Sequence, residues 1–136
     1  MRRCVLPFLV AALGLGACAP ELKAPTTRGV CWRMTFEGGE PRFTPIAEYN
    51  DSLYSCAGQL EAVRMRTQPD GEVQGAFNGH FIFVSEKAMQ TADRYKGGRS
   101  QVFNPVQRAE LQKQIRAAMA ADPEFGTVRA PSQPAK

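Results

Sequence analysis

The sequence is poor in the residues that carry most enzyme chemistry. Its 136 residues include a single histidine, His80, and only four cysteines. A structural zinc site takes four cysteine or histidine ligands at short spacings, and histidine is the side chain that most often transfers protons near neutral pH. Neither a metal site nor a local catalytic constellation is therefore predicted, and no cofactor is expected.

The chain also lacks an apolar run long enough to cross a bilayer. A spanning helix needs about 20 apolar residues, whereas the run over residues 5–13 is far shorter and contains Pro7. Arg2 and Arg3 precede this run. A short apolar run behind positive charges is typical of a cleaved export signal rather than of a permanent membrane span.

The end of this segment, Leu15-Gly16-Ala17-Cys18, resembles the lipobox of a bacterial lipoprotein signal peptide. The resemblance implies that residues 1–17 are removed, that the Cys18 sulfur carries a diacylglyceryl group and that its amine carries a third acyl chain. Two or three chains hold a protein on a bilayer stably where one does not. The alternative is an ordinary secretory signal in which the cysteine occurs by chance.

The residue after the cysteine bears on the membrane that receives the protein. Position 19 is Ala, whereas lipoproteins retained at the inner membrane usually have Asp there. The resemblance therefore implies a lipid-anchored protein of the outer membrane that faces the periplasm. No family is recognised for the remainder of the chain.

The net charge is too small to indicate a strongly anionic partner. The formal charge is +4, and subtracting Arg2 and Arg3, which leave with the signal peptide, gives +2. A weakly basic domain gives little reason to expect an anionic surface as its partner. Export from the cytoplasm and the lack of a recognisable nucleic-acid motif argue further against binding to DNA or RNA.

The export signal decides how the cysteines are interpreted. Cys4 leaves with the signal peptide and Cys18 takes the lipid, so Cys31 and Cys56 remain as an even pair in an oxidising compartment. We predict a disulfide between them, which closes a loop of about 26 residues and contributes roughly 3 kcal/mol on the chain-entropy model. The alternative is two free, buried thiols.

Composition divides the rest of the chain into three parts. Residues 18–29 contain prolines and threonines with little apolar content, which predicts a lipid-anchored tether. Residues 122–136 are similarly poor in large apolar side chains, which predicts a disordered tail. The range 30–121 is left as a single folded domain.

The first strand signal creates a conflict. Residues 30–37 alternate between apolar and polar side chains, as in a half-buried strand, and residues 42–49 follow as a return strand. The alternation puts Trp32 inside and Cys31 on the polar face. Cys56, however, lies on the apolar stripe of the next helix, so the disulfide requires Cys31 to lie at a frayed strand start or on a bulge.

The strongest turn signal is Asn78-Gly79, which favours a two-residue hairpin. This turn pairs Phe77 with His80 and Val73 with Val84. Apolar side chains lie on both faces of the hairpin, so we expect one face to meet a helix. The other face is either covered by the C-terminal helix or open to a partner.

Two longer segments have helical periodicity. One covers about residues 51–66, capped by Asn50 or Asp51, and the other covers about residues 105–121 behind Asn104. A short helical stretch capped by Ser85 is predicted to carry Ala88, Met89 and Ala92 and to end by Gly97-Gly98, and a short strand is predicted over residues 100–103. The predicted fold class is α+β: a small antiparallel sheet of about three to five strands with both long helices packed on it.

Two local features are candidate binding or catalytic sites. Arg94, Lys96 and Arg99 surround Gly97-Gly98, and a glycine loop with flanking cations can hold an anion such as a lipid headgroup, a lipopolysaccharide phosphate or a cell-wall carboxylate. The alternative is a solvated basic loop. His80 is the candidate catalytic base of a small hydrolase, although no nucleophile or orienting carboxylate lies at local spacing.

The function that these patterns favour is a non-enzymatic, lipid-anchored envelope protein. It would act as a tether or accessory subunit of a periplasmic or outer-membrane assembly, with an envelope protein as its partner. An anionic-ligand module using Arg94, Lys96 and Arg99 is the main alternative. A hydrolase using His80 is a weaker one.

Overall fold

The computed structural model describes residues 19–128, so residues 1–17 and Cys18 lie outside the described part of the chain. Two helices and six strands follow in the order β1 (Cys31–Glu37), β2 (Glu40–Ala47), α1 (Leu53–Thr67), β3 (Val73–Phe77), β4 (His80–Val84), β5 (Met89–Ala92), β6 (Ser100–Gln101) and α2 (Pro105–Ala121). The strands form one antiparallel sheet in the order β2-β1-β3-β4-β5-β6. The predicted α+β class is confirmed.

The sheet has one strand more than the upper end of the predicted range, because β5 replaces the short helix expected after Ser85. Met89 pairs with Val84 and Ala92 pairs with Phe81, so β5 extends the sheet beside β4. A stretch of four residues between two turns is too short to form a stable helix by itself. Pairing with β4 instead satisfies the backbone groups along that strand.

Both helices begin at residues whose side chains cap the first turn. Helix α2 begins behind Asn104 with Pro105 at its start, as the sequence predicts, and Asn104 and Gln107 also form a reciprocal capping box that was not predicted. Helix α1 is capped by Ser52, whose side chain accepts a hydrogen bond from the Ser55 amide. This cap lies beyond Asn50 and Asp51, the residues that the sequence favours.

One face of the sheet packs against the helices and is cross-linked to α1. The predicted disulfide is confirmed: Cys31 in β1 joins Cys56 in α1 across a Cα–Cα distance of 5.2 Å. Around it lies a core of residues from α1, β3, β4 and β5, comprising Ala57, Leu60, Val63, Val73, Phe77, Ile82, Val84 and Met89. We call this side of the sheet the helix face.

The disulfide resolves the conflict in the sequence pattern. Cys31 is the first residue of β1 and is fully buried on the helix face. A shift in register between Cys31 and Trp32 marks a bulge against β2. Trp32 lies on the opposite side of the sheet, where it is half-buried against a second core cluster. The pattern misleads because both sides of this sheet are apolar.

Helix α1 approaches the sheet most closely at Gly75. A Cβ added there would lie 2.5 Å from Leu60 Cδ1 and would collide with the carbonyl oxygen of Trp32. Only glycine allows strand and helix to come this close. Gly58 in α1 is different, because a Cβ there would make ordinary contact with Leu111 of α2 at 3.6 Å.

The second face of the sheet is covered by the N-terminal segment rather than by a helix. Its buried residues are Met34, Ala76, Phe81, Phe83 and Ala92, and Leu22 and Ala24 pack against them. The Gly79 amide also donates a hydrogen bond of 2.8 Å to the carbonyl of Pro25. Residues 22–25, which lie in the predicted tether, therefore make regular contacts with the domain.

Residues beyond α2 fold back onto α1. Arg66 Nε donates a hydrogen bond of 2.8 Å to the carbonyl of Phe125, and Gly126 adopts a positive φ of +79° close to the carbonyl oxygen of Ala62. Val128 packs against the helix-face core. Contacts thus extend past the predicted boundary at residue 121. Neither helix in residues 19–128 is both long and apolar enough to cross a membrane.

Candidate functional site

An open cleft lies where the N-terminal segment meets the sheet. It has a volume of about 650 Å³. This volume is within the range of small-molecule pockets, about 300–1,000 Å³. Its lining comes from the N-terminal segment, from the β1–β2 hairpin and from the loop after β5: Ala19, Pro20, Glu21, Leu22, Lys23, Phe36, Pro41, Tyr95 and Lys96. We call it the N-terminal cleft.

Aromatic rings form the wall of the N-terminal cleft. The Tyr95 hydroxyl donates a hydrogen bond of 2.9 Å to Gln74 Oε1. The Tyr95 ring lies 5.5 Å from the ring of Phe81 and 6.0 Å from that of Phe36, centroid to centroid. Phe36 remains 49% exposed. One side of this aromatic cluster is therefore fixed in the sheet, and the other is open to whatever fills the cleft.

Two of the three cations in the predicted anion loop have carboxylate partners. Arg94 Nε lies 3.7 Å from Glu21, and Arg99 Nη1 lies 3.3 Å from Glu72. The guanidinium of Arg99 also lies 3.6 Å from the centroid of the Phe83 ring, a cation–π geometry.

Lys96 is the third cation of this loop. It lines the N-terminal cleft and makes no ion pair with any of residues 19–128. Two of the three cations in this loop are therefore engaged within the protein, and of the three only Lys96 presents an unpaired charge among residues 19–128.

His80 has an orienting carboxylate that sequence reasoning missed. Its Nδ1 lies 2.8 Å from Asp93 Oδ1, and both side chains are exposed. Asp93 directly follows β5, where a helix was predicted instead of a strand, so this contact was not expected. No serine, threonine or cysteine in residues 19–128 makes a hydrogen bond to His80. The pair resembles the histidine and aspartate of a catalytic triad, but no nucleophilic side chain in residues 19–128 is hydrogen-bonded to the histidine.

The most deeply buried charges surround Glu61 in α1. Its carboxylate accepts hydrogen bonds from Arg64 Nε at 2.8 Å, from Gln112 Nε2 at 2.6 Å and from Arg108 Nη2 at 3.3 Å. Arg64 also donates to the Pro69 carbonyl and Arg108 donates to the Ser85 carbonyl. The cluster therefore joins α1, α2 and two turns of the chain.

Two opposing effects set the protonation of Glu61. Burial favours the neutral carboxyl and raises its pKa, but hydrogen bonds from Arg64 and Gln112 and the charges of Arg64 and Arg108 together bring the pKa below its ordinary value. Glu61 is therefore ionised at neutral pH. This cluster holds the helices together, and the only sign of it in the sequence is the i, i+3 spacing of Glu61 and Arg64.

A second cavity, of about 660 Å³, lies at the N-terminal end of α2. Glu86 and Lys87 stand exposed at its rim and Arg108 lies in its wall. The charge of Arg108 is already paired with Glu61. The Nε of Arg108 is also buried, and it has no hydrogen-bond partner among residues 19–128.

Neither a metal-binding cluster in residues 19–128 nor a similar known protein identifies the site. Within residues 19–128, no three histidine, cysteine, aspartate or glutamate side chains are placed to hold a metal ion together. No protein-family model matches the sequence, and no curated protein and no solved structure was found to match the chain.

Proposed function

We propose that this chain is a non-enzymatic lipoprotein of the bacterial envelope. Lipid on Cys18 would anchor it in the outer membrane, facing the periplasm, where it serves as a tether or accessory subunit of a larger assembly. The lipobox-like Leu15-Gly16-Ala17-Cys18 behind two arginines and an apolar run supports the anchor. The observation that carries the proposal further is the docking of Leu22 and Ala24 on the second face of the sheet.

This docking leaves very little free chain between anchor and domain. Leu22 is four residues from Cys18, and four extended residues span at most about 14 Å. The packed segment therefore holds the domain close to the bilayer surface. Such a placement suits a protein that acts at the membrane on a neighbouring component rather than one that reaches across the periplasm.

The outer surface of α1 and α2, which we call the helix layer, offers a contact region for a protein partner. A groove of about 280 Å³ between α1 and α2 is lined in part by Tyr54, Leu111 and Phe125, and Tyr54 is 58% exposed. The sheet edges are poor alternatives, because β2 carries Pro41 and Pro45 and β6 has only two residues. We expect a partner to bind through side chains on the helix layer rather than by adding a strand.

The other two functions receive less support. An anionic ligand would have to displace Glu21 from Arg94 and Glu72 from Arg99, which leaves Lys96 as the uncommitted cation. A hydrolase would have the His80–Asp93 pair but needs a nucleophile beside it. Unchanged behaviour of a His80→Ala strain in the same envelope assays would remove the hydrolase hypothesis.

The anchor is tested by comparing two cysteines of the same N-terminal region in the full-length chain. We expect Cys18→Ala to abolish lipid attachment and maturation, so that the protein keeps a larger size. Cys4→Ala, a matched change within the proposed signal peptide, is expected to mature and fractionate as the wild type does. A Cys18→Ala protein that reaches mature size and stays with the membranes would contradict the proposal.

The accessory role is tested by crosslinking in cells, followed by extraction from membranes and mass spectrometry. We expect one specific envelope protein, with crosslinks that fall on the groove between α1 and α2. Lipid or cell-wall fragments that copurify without any protein partner would favour the anionic-ligand alternative. Loss of that copurification in Lys96→Glu would then assign the ligand to the basic loop.

A further inference from the structure

We propose that the N-terminal cleft holds one acyl chain of the lipid on Cys18. This inference rests on the proposed function, because it requires Cys18 to be lipidated. It assigns an occupant to a cleft whose apolar wall nothing else in residues 19–128 covers. The anchor would then bind both the bilayer and the domain that it carries.

The position of the cleft favours the protein's own lipid over any free one. Ala19, the residue next to Cys18, is itself part of the lining. A group attached one residue away has a high effective concentration at the cleft, as in any intramolecular binding event. A free phospholipid has to compete with this tethered chain.

The chemistry of the lining fits a hydrocarbon chain. Leu22, Phe36, Pro41 and Tyr95 present apolar surface to the cleft. Filling it would bury the exposed side of Phe36, which otherwise costs free energy by contact with water. The Tyr95 hydroxyl is already bonded to Gln74, so an acyl chain leaves no polar group of that ring without a partner.

The polar members of the lining fit the other end of the lipid. Glu21, Lys23 and Lys96 line the same cleft as the apolar residues. Charged groups of this kind stay in water and suit the ester and glycerol region of a lipid rather than its chain. The lining therefore combines apolar and charged side chains, as a lipid combines an apolar tail with a polar head.

The number of chains allows one of them to leave the bilayer. A lipid of the predicted type has three chains, and stable anchoring takes about two. One chain in the cleft would leave two in the membrane. It would also turn the cleft towards the bilayer and so fix the orientation of the domain.

The test uses photocrosslinking from the cleft in the full-length protein in growing cells. The photoreactive amino acid p-benzoylphenylalanine replaces Phe36 in one strain and Tyr54 in another. Both native residues are exposed aromatics, at 49% and 58%, but Tyr54 lies on the helix layer. After irradiation, the protein is extracted and the crosslinked peptides are identified by mass spectrometry.

We expect the label at position 36 to join the acyl chain on the Cys18 peptide of the same molecule, with a yield at least about tenfold above that at position 54. The same label at Pro41, an exposed position of the same cleft, is expected to give the same product. It tests the proposal independently if the Phe36 variant folds poorly.

Three results would overturn the inference while leaving the proposed function intact. Crosslinks to free phospholipid would mean that the cleft contacts the bilayer but not the anchor chain. Crosslinks to another protein would make the cleft a subunit interface. A lipidated Cys18 peptide without crosslinks at positions 36 and 41 would leave the cleft empty of lipid. A Cys18 peptide without lipid in the same spectra would overturn both proposals.

Discussion

The two faces of the sheet are both apolar, but they are covered in different ways. The helix face is closed by α1, with Leu111 of α2 packed against the same core. Cys31–Cys56 cross-links α1 to the sheet, and the Glu61 cluster ties α1 to α2. The second face carries an aromatic cluster that is covered mainly by a short segment without helix or strand, which includes Leu22 and Ala24. The helices of the domain therefore cover one face, and the segment that leads to the proposed anchor covers the other.

This difference suggests that one face of the sheet mainly stabilises the fold and that the other mainly connects the domain to the proposed anchor. Because the larger buried core and the disulfide lie on one side, that side should dominate the free energy of unfolding. The second side should add less to stability, and the segment that covers it leads to the proposed anchor. Substitutions on the two faces should therefore have different consequences.

The largest expected effect follows from removing the buried carboxylate. Glu61→Ala leaves Arg64 and Arg108 buried without their partner, and breaking a buried pair in this way costs about 3–5 kcal/mol. Denaturant unfolding measures the change. Glu110→Ala on the exposed side of α2 is the control, with an expected change within about 0.5 kcal/mol. Equal effects of the two substitutions would show that the cluster is not important for stability.

The same carboxylate should make stability depend on pH. The pKa of Glu61 is lower in the folded protein than its ordinary value of 4.5, because donated hydrogen bonds and neighbouring guanidinium groups outweigh burial. Its contribution is therefore complete above pH 4.5 and is lost as the pH falls through the folded pKa. Unfolding of wild type and Glu61→Gln across this range should show a smaller acid-dependent loss in the variant. Parallel curves would contradict this assignment.

Removing the disulfide should cost slightly less than removing the Glu61 carboxylate. Replacing Cys31 and Cys56 together by Ala is expected to lower the free energy of unfolding by roughly 3 kcal/mol, since the unfolded chain loses its cross-link. Thermal or denaturant unfolding measures the loss. In the wild type, a reducing agent should change mobility on a non-reducing gel, and in Cys31→Ser it should not. Identical mobility of the two proteins without reductant would argue against the bond.

Two glycines that contact helices provide the next comparison. Gly75→Ala forces a methyl group against Leu60 and the Trp32 carbonyl, which should destabilise the fold by about 1–3 kcal/mol. Gly58→Ala has room beside Leu111 and improves the helix propensity of α1, so it should stabilise by up to about 1 kcal/mol. Opposite signs in denaturant unfolding are expected. The same sign for both would contradict the described approach of α1 to β3.

The smallest expected effect is on the second face. Leu22 is partly buried, and Leu22→Ala should cost about 1 kcal/mol, less than the loss for a fully buried leucine. Lys23→Ala, whose side chain is exposed, is the neighbouring control and should change stability by less than about 0.5 kcal/mol. If Leu22→Ala behaves like Lys23→Ala, the N-terminal segment does not hold the second face.

Local rules predicted the parts of the fold that neighbouring residues determine. The Asn78-Gly79 turn sets the pairing of Phe77 with His80 and of Val73 with Val84, and the structure has this register. Asn104 starts α2 in the same way, through reciprocal hydrogen bonds with Gln107, three residues along the chain. These features follow from turn and cap chemistry and need no distant partner.

The features that sequence reasoning missed depend on contacts between distant segments. β5 is a strand only because β4 lies beside it, and Asp93 reaches His80 only because β5 is a strand. Glu61 is stabilised by Arg108 and Gln112, which lie in the other helix. The N-terminal cleft is likewise formed by three separate parts of the chain. Such pairings are not visible in local hydrophobic periodicity.

The most direct test of the proposed anchor is the intact mass of the protein extracted from purified outer membranes, with its N-terminal peptide sequenced. We expect a chain that begins at Cys18 and carries a diacylglyceryl group and a third acyl chain, with Ala19 next. A chain that begins at another residue, or an unmodified Cys18, would contradict the anchor and with it the proposed placement of the domain at the membrane.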